Sequence, residues 1–281
     1  MIDFSNALSS TASVAVQAHW DPIADATYNL HQPTQEQLDR LKARWPEPVD
    51  MEWEQALELF NPKPAHPLKE YSTTDFQVFL PPSTAKVGDV WDLNPDGILP
   101  FLRQFHLGAT TEFRIYSTRQ GTYGSKGKKG VKACLRALSS EYAEIVFRIH
   151  ALFTLDGPDA RFTPAQFAGR LVLDRKAGTI VKFSLHLPSR NSNVDINAFG
   201  AADIVFVPRM ELSASSDTSV HEITWKTAIT EAETRKKLAT AFYKFVEIEW
   251  IPIEDVVELA KRTNRPIHAL VLFGALDDES C

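Results

Sequence analysis

The sequence predicts an α+β protein in which a large antiparallel sheet is followed by a strand–helix–strand unit. Three observations carry this prediction. Apolar and polar residues alternate over much of 68–212, which is typical of half-buried strands. A glycine-containing turn separates two such stretches and predicts a hairpin. After about residue 238 the apolar spacing changes to three and four residues, as in helices.

These patterns divide the chain into three predicted segments. Residues 1–66 form a helical and irregular N-terminal segment, residues 67–219 form a β-rich domain, and residues 220–281 form a unit that mixes helix and strand. The Ser-rich stretch 213–219 marks the second boundary.

Composition excludes several classes of function. The 281 residues are 44% hydrophobic and 23% charged, with a formal net charge of −6. This balance lacks the basic footprint of a nucleic-acid-binding protein. No stretch approaches eighteen uncharged apolar residues, so no membrane span is predicted. Residues 1–20 contain no Lys or Arg and are a poor secretory signal. We therefore expect a soluble, cytoplasmic protein without nucleic-acid or membrane partners.

In the N-terminal segment, helical spacing of apolar residues appears at 34–44 and again at 51–60. Pro62, Pro64 and Pro67 then exclude a continuing helix. In the β-rich domain, residues 131–138 and 145–151 are predicted strands.

The rest of the β-rich domain adds a hairpin and one helix. Residues 171–173 and 180–187 flank the predicted hairpin turn. Between the predicted strands 145–151 and 171–173, Thr163–Gln166 has the spacing of a capping box. With Pro164 at the first helical position, this segment predicts a short helix.

The C-terminal segment predicts a crossover unit with parallel strands at 246–251 and 267–273. The helix between them, 254–263, begins with acidic residues and ends with basic ones, which complements the helix dipole. Its predicted buried face carries Val256, Val257 and Ala260. Such a strand–helix–strand unit looks like the first half of a thioredoxin-like domain.

The last residues carry a narrower resemblance. GALDDESC (274–281) resembles the segment that precedes the Ser-Cys-selenocysteine-Gly motif of the selenoprotein N family. Upstream, FTPAQF (162–167), NVD (193–195) and VPRMEL (207–212) follow in the family's order. The resemblance extends from about residue 90 to the end of the sequence.

The resemblance implies thiol–disulfide oxidoreductase chemistry with Cys281 as the catalytic thiol. It also implies selenocysteine as the next encoded residue, so we expect a chain cut short at a UGA codon and catalytically incomplete. No other cofactor and no metal are expected. The implied partner is a protein thiol or disulfide, and a homodimer is compatible with this reading. The alternative is a non-catalytic protein-interaction module built on the β-rich domain.

Other candidate residues have structural interpretations. A lone Cys134 in a strand is typical of a small buried hydrophobe. Residues 92–97 match the first half of a calcium loop, but Arg103 occupies the position that needs a bidentate Glu, which favours a capped turn. The basic loop 119–130 lacks phosphate-loop spacing and is interpreted as a hairpin tip. His268 lies in a predicted buried strand and is interpreted as a core histidine.

Overall fold

The computed structural model describes most of the chain in fifteen stretches. These are residues 4, 8–9, 11–23, 25–26, 35–44, 63–111, 115–117, 122–124, 130–155, 160–164, 166–188, 193–198, 201–215, 223–243 and 247–269. Cys281 and the predicted helix at 51–60 lie outside the described residues.

The described residues form an α+β fold, as predicted. Its strands, in chain order, are β1 (Ser13–Trp20), β2 (Asp25–Ala26), β3 (Leu68–Ser72), β4 (Val90–Asp92), β5 (Ala109–Thr111), β6 (Ile115–Ser117), β7 (Thr122–Gly124), β8 (Val131–Leu138), β9 (Tyr142–Ile149), β10 (Ala151–Thr154), β11 (Arg161–Pro164), β12 (Phe167–Asp174), β13 (Thr179–His186), β14 (Asn193–Ala198), β15 (Ala201–Phe206), β16 (Met210–Ser215) and β17 (Thr227–Ala228). Its α-helices are α1 (Gln35–Arg44), α2 (Pro95–Phe105), α3 (Glu231–Phe242) and α4 (Ile253–Thr263), and a 3-10 helix spans Thr73–Phe79.

Within these residues the strands form a nine-stranded, a six-stranded and a two-stranded sheet. The large sheet has the order β17-β8-β9-β12-β13-β16-β1-β3, with β4 also paired to β8. The second has the order β2-β15-β14-β11-β10-β5, and β6 pairs with β7. Every pairing is antiparallel. The predicted hairpin is confirmed as β12 and β13, whose turn contains Gly178 at a φ of 68°.

Aromatic rings fill the core between the large sheet and helix α2. Phe183 lies within contact range of Phe76, Phe79, Phe101 and Phe147, at centroid distances from 5.1 to 6.2 Å. Such offset and edge-to-face pairs add to the stabilisation that apolar burial provides.

Helix α2 connects this cluster to the second sheet. Phe105 lies one turn after Phe101 and stacks on Phe167, with centroids 5.6 Å apart. Trp20 packs against Phe105 and, at 5.0 Å, against Phe162 of the second sheet. The two sheets therefore share one hydrophobic core.

A glycine in β12 makes room for one of these rings. A Cβ on Gly169 would lie 1.8 Å from Cε2 of Phe147 on the neighbouring strand. The Phe147 ring therefore lies over the backbone of β12 and occupies the space of the missing side chain.

The prediction of a helical or irregular N-terminal segment is wrong for residues 13–20. These residues form β1, which lies inside the large sheet between β16 and β3. The alternation of apolar and polar residues is weak in this strand. Val16 and Trp20 are buried, but several of the residues between them are small or polar. Pairing on both edges fixes a strand that the local pattern does not indicate. Helix α1 confirms the helix predicted at 34–44.

The short helix predicted at Thr163–Gln166 is also wrong. Residues 161–164 form β11, paired with β10 and β14, and β12 begins at Phe167. Phe162 and Thr163 are both buried. Ladder pairing and burial of the segment override the local capping pattern, and Pro164 is accommodated as the last residue of the strand.

The C-terminal unit is confirmed only in its helix. Helix α4 spans Ile253–Thr263, but residues 247–251 form a short 3-10 turn and irregular chain, and 267–269 are irregular. The predicted strand 246–251 is therefore wrong over its described part, and residues 270–273 lie outside the description. A parallel strand pair needs layers on both faces, and α4 buries none of its residues. Val257 is 46% exposed rather than buried, so a charge there is no longer expected to be strongly destabilising.

Candidate functional site

Cys134 lies on the face of the large sheet that helix α3 covers. It is opposite Val146 of β9 and Val90 of β4, and it is fully buried. Burial raises the pKa of its thiol to about 11; the charge of Lys237 lowers it, and Asp89 adds to the increase. A thiol of this kind is neither accessible nor ionised at neutral pH, which supports its interpretation as a small buried hydrophobe.

We expect Cys134 to resist alkylation in the folded protein. At pH 8, with a pKa near 11, only about one thiol in a thousand is ionised. In a Cys281→Ser variant, iodoacetamide should leave the native chain unmodified and label it fully in urea, as read by mass spectrometry. Rapid labelling of the native chain would contradict the buried position.

The same thiol has a consequence for stability. The pKa of the thiol rises on folding from the ordinary 9.0 to about 11. Its contribution to the free energy of unfolding is therefore complete below pH 9 and is lost as the pH rises towards 11.

A charged cluster lies on the outer face of the sheet, opposite the aromatic core. Glu144 of β9 is fully buried there. Arg136 of β8 donates to Glu144 Oε2 from Nε at 2.7 Å and also from a second nitrogen. Arg170 of β12 forms an ion pair through Nε, 3.1 Å from Glu144 Oε1. We call these three residues together with Glu231 of helix α3, which also contacts Arg170, the Glu144 network.

A groove of about 510 Å³ lies beside the Glu144 network, between the first turns of helix α3 and the sheet. Its apolar lining includes Val146, Ala168 and Leu238. Arg148 and His186 also line it. Burial lowers the pKa of His186 against the raising effect of Glu211, so its imidazole is neutral at neutral pH.

Arg148 is held in place by aromatic rings as well as by a hydrogen bond. Its Nε donates to His150 Nε2 at 3.0 Å, and its guanidinium lies 5.4 Å from the Phe242 ring and 5.2 Å from the Tyr243 ring. These contacts anchor the C-terminal end of α3 on the sheet.

Sequence similarity identifies the family of the chain. Selenoprotein N of Danio rerio is 31% identical to this chain over a match that covers 78% of the chain and 48% of that protein. Selenoprotein N of Homo sapiens is 29% identical over a match that covers 77% of the chain and 45% of that relative. The chain belongs to the selenoprotein N family.

The chain spans about half the length of these selenoprotein N relatives. No protein-family model matches it, and no solved structure matches it significantly. Within the described part of the chain, no helix is both long and apolar enough to cross a bilayer.

The site residues predicted from the selenoprotein N resemblance are placed only in part. Cys281 lies outside the described residues, so its catalytic role stays a prediction. The NVD segment (193–195) forms the start of β14, and VPRMEL (207–212) leads into β16. β14 belongs to the six-stranded sheet and β16 to the nine-stranded sheet.

The remaining candidates have clear outcomes. The turn at 92–97 is a capped helix start, because Asn94 Oδ1 accepts a hydrogen bond from the Asp96 amide and α2 follows. Among the described residues no group of three potential ligands is placed to bind a metal ion. His268 is exposed and outside any described strand, so its core interpretation is wrong. Of the basic loop, 122–124 form β7, and most of the rest lies outside the description.

The Glu144 network and its groove were missed at the sequence level. The available signal was a charged residue within an otherwise apolar strand, repeated on three strands: Arg136, Glu144 with Arg148, and Arg170. Only the strand register shows that these residues share one face.

Proposed function

We propose that this chain belongs to a thiol–disulfide oxidoreductase of the selenoprotein N type and carries its resolving thiol, Cys281. The observation that supports the proposal most is membership of the family, together with the likeness of 274–281 to the segment around the family's redox motif. The position of Cys134 adds to it. The sequence has two cysteines. Because the Cys134 thiol is buried and its pKa is raised to about 11, Cys281 is the better candidate for thiol chemistry.

The proposed reaction reduces a disulfide in a protein substrate. Selenocysteine, the expected neighbour of Cys281, supplies a nucleophile that is ionised at neutral pH. The selenolate attacks the substrate disulfide, forms a selenium–sulfur bond with one sulfur and releases the other. Cys281 then attacks the selenium and displaces the second sulfur, so the substrate leaves as a dithiol that has gained two electrons. The enzyme pair is left oxidised, and a dithiol reductant must return it to the reduced form.

Residues 1–281 contain no selenocysteine, the proposed partner of Cys281 in this exchange. A single thiol forms a mixed disulfide with substrate but cannot release it by internal attack. Asp277, Asp278 and Glu279 precede Cys281 and disfavour its thiolate. Residues 1–281 are therefore proposed to be catalytically incomplete.

We expect negligible multiple-turnover disulfide reductase activity from residues 1–281, measured by insulin reduction with a dithiol donor. A version extended by Cys or selenocysteine and the following coding sequence should turn over, and Cys281→Ser should abolish that activity.

Two outcomes would contradict this assignment. One is robust turnover by residues 1–281 that Cys134→Ser abolishes, because the active thiol would then be the buried one. The other is an extended version that is folded and inactive. That second outcome would favour the alternative function, a protein-interaction module built on the β-rich domain, for which the groove on the large sheet offers a binding surface.

A further inference from the structure

The groove beside helix α3 has no part in the proposed redox chemistry, yet it has the features of a binding site. Its volume of about 510 Å³ lies within the range of small-molecule pockets. It combines apolar walls with a few polar side chains, the composition that fixes both the affinity and the orientation of a ligand.

The charges in the groove do not balance. Its lining and the Glu144 network together contain four arginines, Arg136, Arg148, Arg170 and Arg235, but only two glutamates, Glu144 and Glu231. The groove therefore has a local excess of positive charge, although the whole chain has a formal net charge of −6. Buried arginines next to low-dielectric walls attract anions more strongly than arginines in water do.

Two polar groups in the lining are available to a ligand. Arg235, in the second turn of α3, forms no ion pair within the described part of the chain. Gln166 is only 4% exposed, and its side-chain amide, which lines the groove, can both donate and accept a hydrogen bond.

Glu231 marks the position that an anion would take. Its carboxylate is 68% exposed and holds the outer nitrogen of Arg170, while the Nε of Arg170 faces the buried Glu144. The hydrogen bond and the positive charge of Arg170 hold the pKa of Glu231 below its usual value. An exposed carboxylate is held weakly, so an external oxyanion can replace it on the same guanidinium.

We propose that this groove binds a small molecule that carries an oxyanion, carboxylate or phosphate, on an apolar body. Arg170 and Arg235 bind the oxyanion, Gln166 donates or accepts one further hydrogen bond, and the apolar body lies against Val146 and Leu238. Glu231 competes with the oxyanion for Arg170 and so limits its affinity.

The test is calorimetric titration of the whole chain at low ionic strength with three probes. Phenyl phosphate and benzoate carry the two candidate oxyanions on an apolar ring, and inorganic phosphate lacks the ring. The ring-bearing probe of the preferred oxyanion should bind more tightly than inorganic phosphate, because only that probe contacts the apolar wall.

Three variants that each change one charge should affect probe binding in three different ways. Arg235→Gln should weaken binding about tenfold, the loss of one charge-assisted hydrogen bond. Glu231→Gln removes the competitor and should strengthen binding several-fold. Arg103→Gln, which removes an exposed positive charge from α2 outside the groove, should change nothing. All three residues are exposed, so circular dichroism and thermal melting should match the unaltered chain.

The proposal is wrong if no probe binds at millimolar concentration to either the unaltered chain or the Glu231→Gln variant. It is also wrong if Arg103→Gln weakens binding as much as Arg235→Gln, since the attraction would then be one of overall charge. A weaker affinity in Glu231→Gln would also contradict the proposal, because removal of a carboxylate that competes for Arg170 cannot weaken the binding of an oxyanion there.

Discussion

Phe183→Ala should lower the free energy of unfolding by about 3–5 kcal/mol. Phe183 is fully buried in β13, and its ring contacts Phe76, Phe79, Phe101 and Phe147. Truncation removes its apolar surface and also leaves a cavity, because rings held from both the sheet and helix α2 cannot collapse into it. Urea denaturation followed by circular dichroism measures the change.

Phe206→Ala is the matched control for this substitution. It makes the same truncation on β15, but the Phe206 side chain is 42% exposed, so the loss should stay near or below about 1 kcal/mol. Equal losses in the two variants would show that the aromatic cluster is not the core of the domain.

Glu144→Gln should cost about 3 kcal/mol, although it changes neither the size nor the shape of the side chain. The carboxylate is the shared partner of Arg136 and Arg170, whose side chains are only 14% and 29% exposed. A neutral amide leaves both guanidinium groups without their buried counter-charge, and this desolvation cost dominates. The loss should persist in high salt, because buried pairs are poorly screened.

Glu231→Gln tests whether burial is the cause. It removes a carboxylate from the same Arg170, but from an exposed position, so the cost should be below about 1 kcal/mol. If Glu144→Gln costs as little as Glu231→Gln, the network contributes to the groove alone and not to the stability of the sheet.

The parts of the fold that the sequence predicts correctly are those in which local pattern and tertiary contact agree. The hairpin of β12 and β13 combines apolar strand residues with a turn residue, Gly178, that adopts a positive φ. Helix α3 contains the start of the helical spacing predicted from about residue 238, and the structure adds a capping box at its first turn, in which Thr230 and Glu233 exchange hydrogen bonds. Thr163–Gln166 has a similar spacing of residue types, but residues 161–164 form a strand that pairs with β10 and β14.

The candidate site was less predictable for a physical reason. The predicted catalytic thiol, Cys281, is recognised from adjacent residues of one short motif. The groove, in contrast, is formed by residues of β8, β9, β12 and α3 that are far apart in the sequence. The predicted strands alone leave the register of β8 undecided, and a bulge between Leu135 and Ala137 shifts it further. Whether Cys134 and Arg136 lie on the same face of the sheet therefore depends on strand pairing that only the folded sheet shows.

The position of β1 inside the large sheet governs the order in which the protein can fold during synthesis. Its Gln17 lies opposite Leu68 of β3 and opposite Ser213 of β16. The first pairing becomes available early, but the second must wait until most of the chain has left the ribosome. Until then β1 and β13 each expose an open hydrogen-bonding edge, which is a site for pairing with other chains. Closing so long a loop is slow, so the arrival of β16 is expected to be the late, rate-limiting event of folding.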